Sequence, residues 1–160
     1  MEISNSLKRF LSEPDITNLI NNNEWEEVYH SLLGSEIANI IPELTLLLLE
    51  AGINPLLYLD IVPEYYLCDT NITTFTIPES VSYIRYHAFS YCEKLKEIKL
   101  PNSLKIIEPH SFNSCTSLKD IYYNGTKEEW GKIEIDKNSE LEWRVGLIIH
   151  CNDGNINYGY

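Results

Sequence analysis

A 23-residue period constrains this chain more than any other feature of its sequence. The segment FTIPESVSYIRYHAFSYCEKLKE, beginning at Phe75, lies over IKLPNSLKIIEPHSFNSCTSLKD, beginning at Ile98, with no gap across 23 columns. Pro78 falls on Pro101, Ser80 on Ser103, Val81 on Leu104, Ile84 on Ile107 and His87 on His110. Phe89 falls on Phe112, Cys92 on Cys115, Leu95 on Leu118 and Lys96 on Lys119. Self-similarity at a fixed spacing of this length marks a chain of stacked supersecondary units, each burying its apolar face only against its neighbours. The register runs forward to Ile121 and Tyr123, which follow Ile98 and Leu100. It runs back to Ile72 and Tyr66, which match Leu95 and Phe89.

The physics of one unit is readable. Phe75 and Ile77 alternate with Thr74 and Thr76, which predicts a short strand with one apolar face. Pro78 ends it, because proline cannot donate to a ladder. Val81 and Ile84 return to the core, Phe89 and Cys92 fill the far side, and Leu95 leads into the next strand. Stacking then predicts a column of Phe75, Ile98 and Ile121, a second of Phe89 and Phe112, and a third of Cys92 and Cys115, small fillers with weak donors. About two and a half units are too few to stand alone, so the flanks must cover both ends.

The N-terminal flank reads as four or five short helices over residues 3–62. Ser4–Leu11 is amphipathic, and Asp15 is the expected N-cap of a helix through Leu19 and Ile20. Trp25, Val28, Leu32 and Leu33 have helical spacing. Ser35 is the expected cap of the next helix, with Ile37, Ile40 and Ile41 on one side, and Pro42 is expected to open a new turn. Leu44–Leu49 is apolar nearly all round, Thr45 excepted, and Gly52 is a stop. Pro55 opens a last helix carrying Leu56, Leu57, Leu59 and Ile61, which Pro63 ends. In the C-terminal flank, Asn124–Gly125 and Asp153–Gly154 are turns, and Thr126 with Glu129 forms a capping box that places Trp130 on an apolar side. Ile133 and Ile135 alternate like a strand, and Leu147–Ile149 is another.

The run Ile77–Pro78, Ser80–Val81, Ile84, Ala88–Phe89, Cys92 and Leu95 resembles the BspA-type (treponema-type) leucine-rich repeats, whose pattern it follows; the second copy departs mildly at Leu104 and Ser111. The tail YYNGTKEEWGKI and the closing IIHCNDGNI are similar to endings in that family, and LLEAGINPLLYLDIVPEYYL resembles leaders found before such repeats in phage and gut-bacterial proteins. Joined to the helical flank, which lies outside it, the resemblance gives an expected α+β fold: a helical N-terminal cap, then a short right-handed leucine-rich-repeat solenoid, then a small β-containing C-terminal cap. The corresponding divisions are residues 1–65, 66–123 and 124–160. It also implies recognition of another macromolecule, and it brings no catalytic residues.

Charge narrows the partner. The chain carries −12. Residues 1–70 hold 12 acids against 2 bases, and residues 71–160 hold 12 acids against 10 bases. A surface of this sign repels phosphate and anionic lipid, which argues against direct nucleic-acid or membrane binding, and it suits a basic or nucleic-acid-handling protein. The start MEISNSLKRFLSEPD lacks an apolar secretory run, so a cytoplasmic location is expected. No two of the four cysteines lie within 20 residues, so no CxxC knuckle exists and free buried thiols are expected. No metal site, cofactor or catalytic group is expected: there is no GxSxG elbow, Walker loop or GxGxxG, and His87 and His110 read as turn residues.

A non-enzymatic, intracellular protein-binding module is therefore the first reading. Its contact residues are the strand positions facing away from the core, Thr74, Thr76, Glu97, Lys99, Asp120 and Tyr122, because a parallel sheet of stacked repeats presents an open face. Tyr83, Tyr86, Tyr91, Tyr122 and Trp143 fall off the main columns and are candidate surface anchors. The alternative is a phage-encoded inhibitor of a host defence protein, such as a CRISPR effector, whose basic surface the acidic helices would occupy through Glu24, Glu26 and Glu27. A fragment of a surface adhesin is a further alternative.

Overall fold

The computed structural model describes residues 4–32, 37–141 and 144–158. The expected cap Ser35, together with Leu33 and Trp143 and the side chain of Ile37, lies outside the described residues.

Among the described residues four helices lead the chain: α1 (Asn5–Leu11), α2 (Pro14–Asn21), α3 (Trp25–His30) and α4 (Ile37–Glu50). Ser4 caps α1 by accepting from the Leu7 N–H. α2 begins on Pro14, so its N-cap position is Glu13 and the expected cap Asp15 lies in the first turn, where it meets the positive end of the helix. Pro42 does not open a turn but sits inside α4. Its missing N–H costs about 3 kcal/mol; the apolar face of Ile40, Ile41, Leu44 and Leu48, buried on both sides of the proline, offsets it. Thr45, the polar exception in that run, is buried and bonded to the Tyr29 hydroxyl at 2.9 Å. Gly52 ends the helical segment at φ +79°, a conformation that suits glycine.

The helix expected after Pro55 is only a 3-10 turn, Pro55–Leu57, followed by a strand, β1 (Ile61–Val62). Leu57 and Tyr58 point to solvent at 62% and 59% exposure, so no second apolar face exists there to hold a longer helix.

From β1 onward the chain alternates between two parallel ladders. One contains β1, β3 (Tyr83–Ile84), β5 (Ile106–Ile107) and β7 (Glu134–Ile135), in that order. The other contains β2 (Thr74–Thr76), β4 (Glu97–Leu100), β6 (Asp120–Tyr123) and β8 (Leu147–Cys151), and ends with β9 (Gly154–Tyr158) antiparallel to β8. Neither ladder closes on itself. The register between β2, β4 and β6 is the 23-residue period: Phe75 lies beside Ile98, and Ile98 beside Ile121. Past residue 123 the same ladders continue with a longer step. Ile106 pairs with Glu134 and Asp120 with Ile148, a spacing of 28 residues. The extra length holds the short helix α5 (Lys127–Trp130), opened by the capping box of Thr126 and Glu129. Trp130 is buried under it, its ring edge-on to Tyr123 at 5.3 Å.

The columns form as the repeat predicts. Phe89 and Phe112 are fully buried and stack at 5.3 Å with rings 10° apart, while Ile98, Ile121 and Ile149 share a buried row that the half-buried Phe75 begins. Each fully buried ring contributes about 1.5–3 kcal/mol of transfer free energy. The Cys92 thiol donates to Leu67 O and the Cys115 thiol to Phe89 O, each at 3.0 Å. At the next position Phe112 O accepts instead from the Arg144 guanidinium at 3.2 Å, and Cys115 O accepts from the same group. Arginine thus reaches the Phe112 carbonyl that a further cysteine would have met.

The match of Tyr66 to Phe89 proves one residue out. Leu67 N–H donates to Ala88 O as Phe89 N–H donates to Ser111 O, so Leu67 holds the phenylalanine position. Thr70, 3.6 Å from the Cys92 sulfur, holds the cysteine position. The leading unit is one residue short up to Thr70 and regains the 23-residue step by Thr73, whose carbonyl accepts from Lys96 N–H as Lys96 O accepts from Lys119 N–H.

Candidate functional site: the outward face of the second ladder

Strand alternation sends every second side chain of β2, β4, β6 and β8 outward, and the register lines them into two rows. One row runs Thr74, Glu97, Asp120, Ile148; the other runs Thr76, Lys99, Tyr122, His150. All six sheet residues expected from the repeat therefore share one face. Four of them, Thr76, Glu97, Lys99 and Tyr122, line a groove of about 670 Å³ whose walls also include Glu79 and His150.

The far end of this groove is built. His150 stacks on Tyr122 with ring centroids 4.5 Å apart and planes 12° apart, and its Nε2 lies 2.7 Å from the Asp120 carboxylate. The two contacts hold the imidazole flat on the phenol ring and leave Tyr122 39% exposed. At the near end the Asn124 amide donates to Glu79 at 2.7 Å. Gly125 follows it, because a Cβ there would fall 2.5 Å from the Tyr123 ring. The arrangement presents acids, one lysine and an aromatic platform on a fixed backbone.

His150 and Ile148 were not among the residues expected from the repeat. The strand over Leu147–Ile149 was expected as part of a cap, and its 28-residue offset hides its place in the ladder. The pairs Ile121–Tyr122 and Ile149–His150, an apolar residue followed by an aromatic one at the shared 28-residue offset, are the signal that could have found it.

Glu24, Glu26 and Glu27 stand elsewhere. Glu24 accepts from the Asn22 side chain at 2.9 Å just before α3, and Glu26 and Glu27 occupy that helix's exposed first turn. None of them lines the sheet groove. Glu26 instead reaches a smaller cavity of about 400 Å³ shared with Tyr29, His30, Ile61 and Arg85. Of the other aromatic candidates, Tyr86 and Tyr91 are exposed and Tyr83 is half-buried.

The repeat histidines form a ladder of their own. His87 and His110 stack at 5.3 Å, and Tyr65 stacks on His87 at 5.3 Å. All three adopt left-handed backbone, at φ +57°, +55° and +55° in chain order, and so do Asp69, Tyr91 and Ser114 four residues after each. The His87 Nδ1 lies 2.6 Å from the Ser90 hydroxyl, which donates to His110 O. Burial, and then the neighbouring His110, lower the His87 pKa against the opposing pull of Glu64. The buried thiols are pushed the other way by burial, Cys68 to about 11 and Cys115 to about 12, which keeps them protonated and poor nucleophiles. All four cysteines are free. Among the described residues, no group of three or more His, Cys, Asp or Glu side chains is placed to hold a metal, and no helix is long and apolar enough to cross a membrane.

Compared with protein families, the chain matches the BspA type leucine-rich repeat region over residues 60–142, in 6 copies. No curated protein and no solved structure matches it.

Proposed function

The chain belongs to the BspA-type leucine-rich-repeat family, and on that premise we propose that it is a non-enzymatic module that binds another protein through the outward face of β2, β4, β6 and β8. The observation that carries this reading is the pair of cross-strand rows converging on the groove, with Tyr122 held flat by His150 and Asp120. A rigid, partly exposed aromatic next to charged neighbours has the character of a binding hot spot. We read the two ladders as two sides of one right-handed coil, each turn giving a strand to each, with the outward face of the second ladder as its concave side and the cytoplasm as its place of action.

A second reading rests on the charge split: 12 acids against 2 bases over residues 1–70. In it the acidic helices find a basic protein surface, as a phage-encoded inhibitor of a host defence protein would, and the ladders are scaffold. Capture of a partner from a bacterial lysate by three forms of the full chain separates the two. Tyr122→Ala with His150→Ala should weaken capture by about thirtyfold, the effect of losing about 2 kcal/mol at a hot spot. Glu24→Lys with Glu26→Lys and Glu27→Lys should leave it unchanged. The reverse pattern, with capture that fades as salt rises, favours the helices. A partner indifferent to both sets of changes overturns both readings.

A further inference from the structure

The second ladder ends in an open edge, β9. Backbone direction along β8 decides which groups of β9 are free. Ile148 N–H donates to Lys119 O on the β6 side at 2.8 Å. Main-chain groups alternate in direction along a strand, so those of Ile148 and His150 face β6, and those of Leu147, Ile149 and Cys151 face β9. Their register partners are Tyr158, Ile156 and Gly154. The N–H and C=O groups of Asn155 and Asn157 therefore point away from the sheet, and among the described residues nothing pairs with them.

Open edges are ordinarily guarded by lysine, proline, a bulge or a very short strand. β9 has none of these: its sequence GNINY is uncharged and free of proline, and its five pairs with β8 run unbroken. Its inner side is anchored, since Ile156 and Tyr158 pack on the core and the Tyr158 hydroxyl accepts from the Trp130 indole at 3.2 Å. Charge also favours approach here. Over residues 144–158 Arg144 and Asp153 cancel, whereas residues 1–70 carry 12 acids against 2 bases.

The strand is complementary to itself. Asn155 and Asn157 flank Ile156 symmetrically, so a two-fold axis through Ile156 sets Asn155 of one copy opposite Asn157 of the other, twice. Each such pair exchanges two N–H···O bonds, which uses every free main-chain group of the two asparagines, and it brings their side-chain amides face to face on the outer surface. We infer that the protein self-associates by antiparallel pairing of β9 with β9 of a second copy, centred on Ile156, which joins the two open sheets into one. An interface of a single short strand is small, so the association is weak and transient.

Sedimentation equilibrium of the full chain from low micromolar to millimolar concentration reads the inference directly. The weight-average mass should rise toward that of a dimer. Asn155→Lys with Asn157→Lys opposes like charges in both pairs and should weaken association tenfold or more. Asn155→Lys with Asn157→Glu opposes lysine to glutamate in this register alone, and should associate at least as tightly as the parent at low salt. Circular dichroism establishes that each variant is folded. If the Lys/Lys protein does not fold, the Lys/Glu protein carries the test, and its failure to associate overturns the register. A parent chain that stays monomeric throughout, or a folded Lys/Lys protein that associates as the parent does, overturns the inference.

Discussion

In the helical leader, Leu7, Ile16, Trp25, Val28, Ile41 and Leu44 are buried against residues to which they bear no sequence relation. In the repeat region the partners are copies: Phe89 lies on Phe112, His87 on His110, and the Cys115 thiol reaches the turn of the preceding unit just as the Cys92 thiol does. The leader is held by shape, with a few polar links such as Ser4 to Glu43 and Tyr29 to Thr45. The repeats are held by register, so each residue is positioned by its equivalents one unit away. The difference teaches where a defect travels. A lost side chain in a column is felt by the units on either side of it, while a lost contact in the leader stays local. Both regions nevertheless feed one continuous apolar cluster, from Leu7 to Ile149.

The strongest way to break this contrast is Phe112→Ala, which removes one ring of the stacked pair. It should cost about 3–5 kcal/mol, read as a lower urea midpoint. Far-ultraviolet circular dichroism, which follows the helices, and tyrosine fluorescence, which is weighted to the repeats, should move together, because the core is shared. Helical signal surviving past the fluorescence transition would show two separable units. The leader's counterpart is smaller. Tyr29→Phe leaves the Thr45 hydroxyl buried without its partner and should cost about 1–2 kcal/mol. Adding Thr45→Val should recover most of that loss, so the double variant lies above the sum of the singles in a denaturation series. A double variant no better than the sum would place the effect outside this bond.

The smallest expected effect is on pH. His87 is held below its ordinary value near 6.5, chiefly by burial. The unfolded chain therefore takes up this proton first. The contribution of His87 to stability is complete above pH 6.5, declines as pH falls from there toward the lower folded value, and falls no further beneath it. His87→Asn, which keeps a residue tolerant of left-handed backbone, should flatten the fall in melting temperature across that window. An unchanged slope would assign the acid sensitivity to other groups.

Much of the core was legible because a stack demands like on like. Phe89 and Phe112, Cys92 and Cys115, and Ile98 and Ile121 recur in the sequence because they recur in the same environment. The outward face followed from strand alternation alone, which is why its six expected residues fall in two rows. Other features were not legible. Pro42 argues locally for a helix start, yet burial of the residues around it carries α4 through. The segment after Pro55 has helical spacing, but its Leu57 and Tyr58 have nothing to pack against. The left-handed positions at Tyr65, His87 and His110 are written as a recurrence four residues ahead of Asp69, Tyr91 and Ser114, a pattern that means little until the turn is seen.

By itself, then, the sequence determined the period, the inward columns and the family, because side chains that stack must match in size and polarity. Only the tertiary structure decided where the array ends. It carried β7 and β8 into the ladders across a 28-residue step, gave His150 to the outward face and left β9 as the open edge. The reason is physical: periodicity in a sequence records side-chain packing, whereas strand pairing is made by main-chain hydrogen bonds, which are indifferent to side-chain identity and unaffected by an insertion that folds away from the sheet.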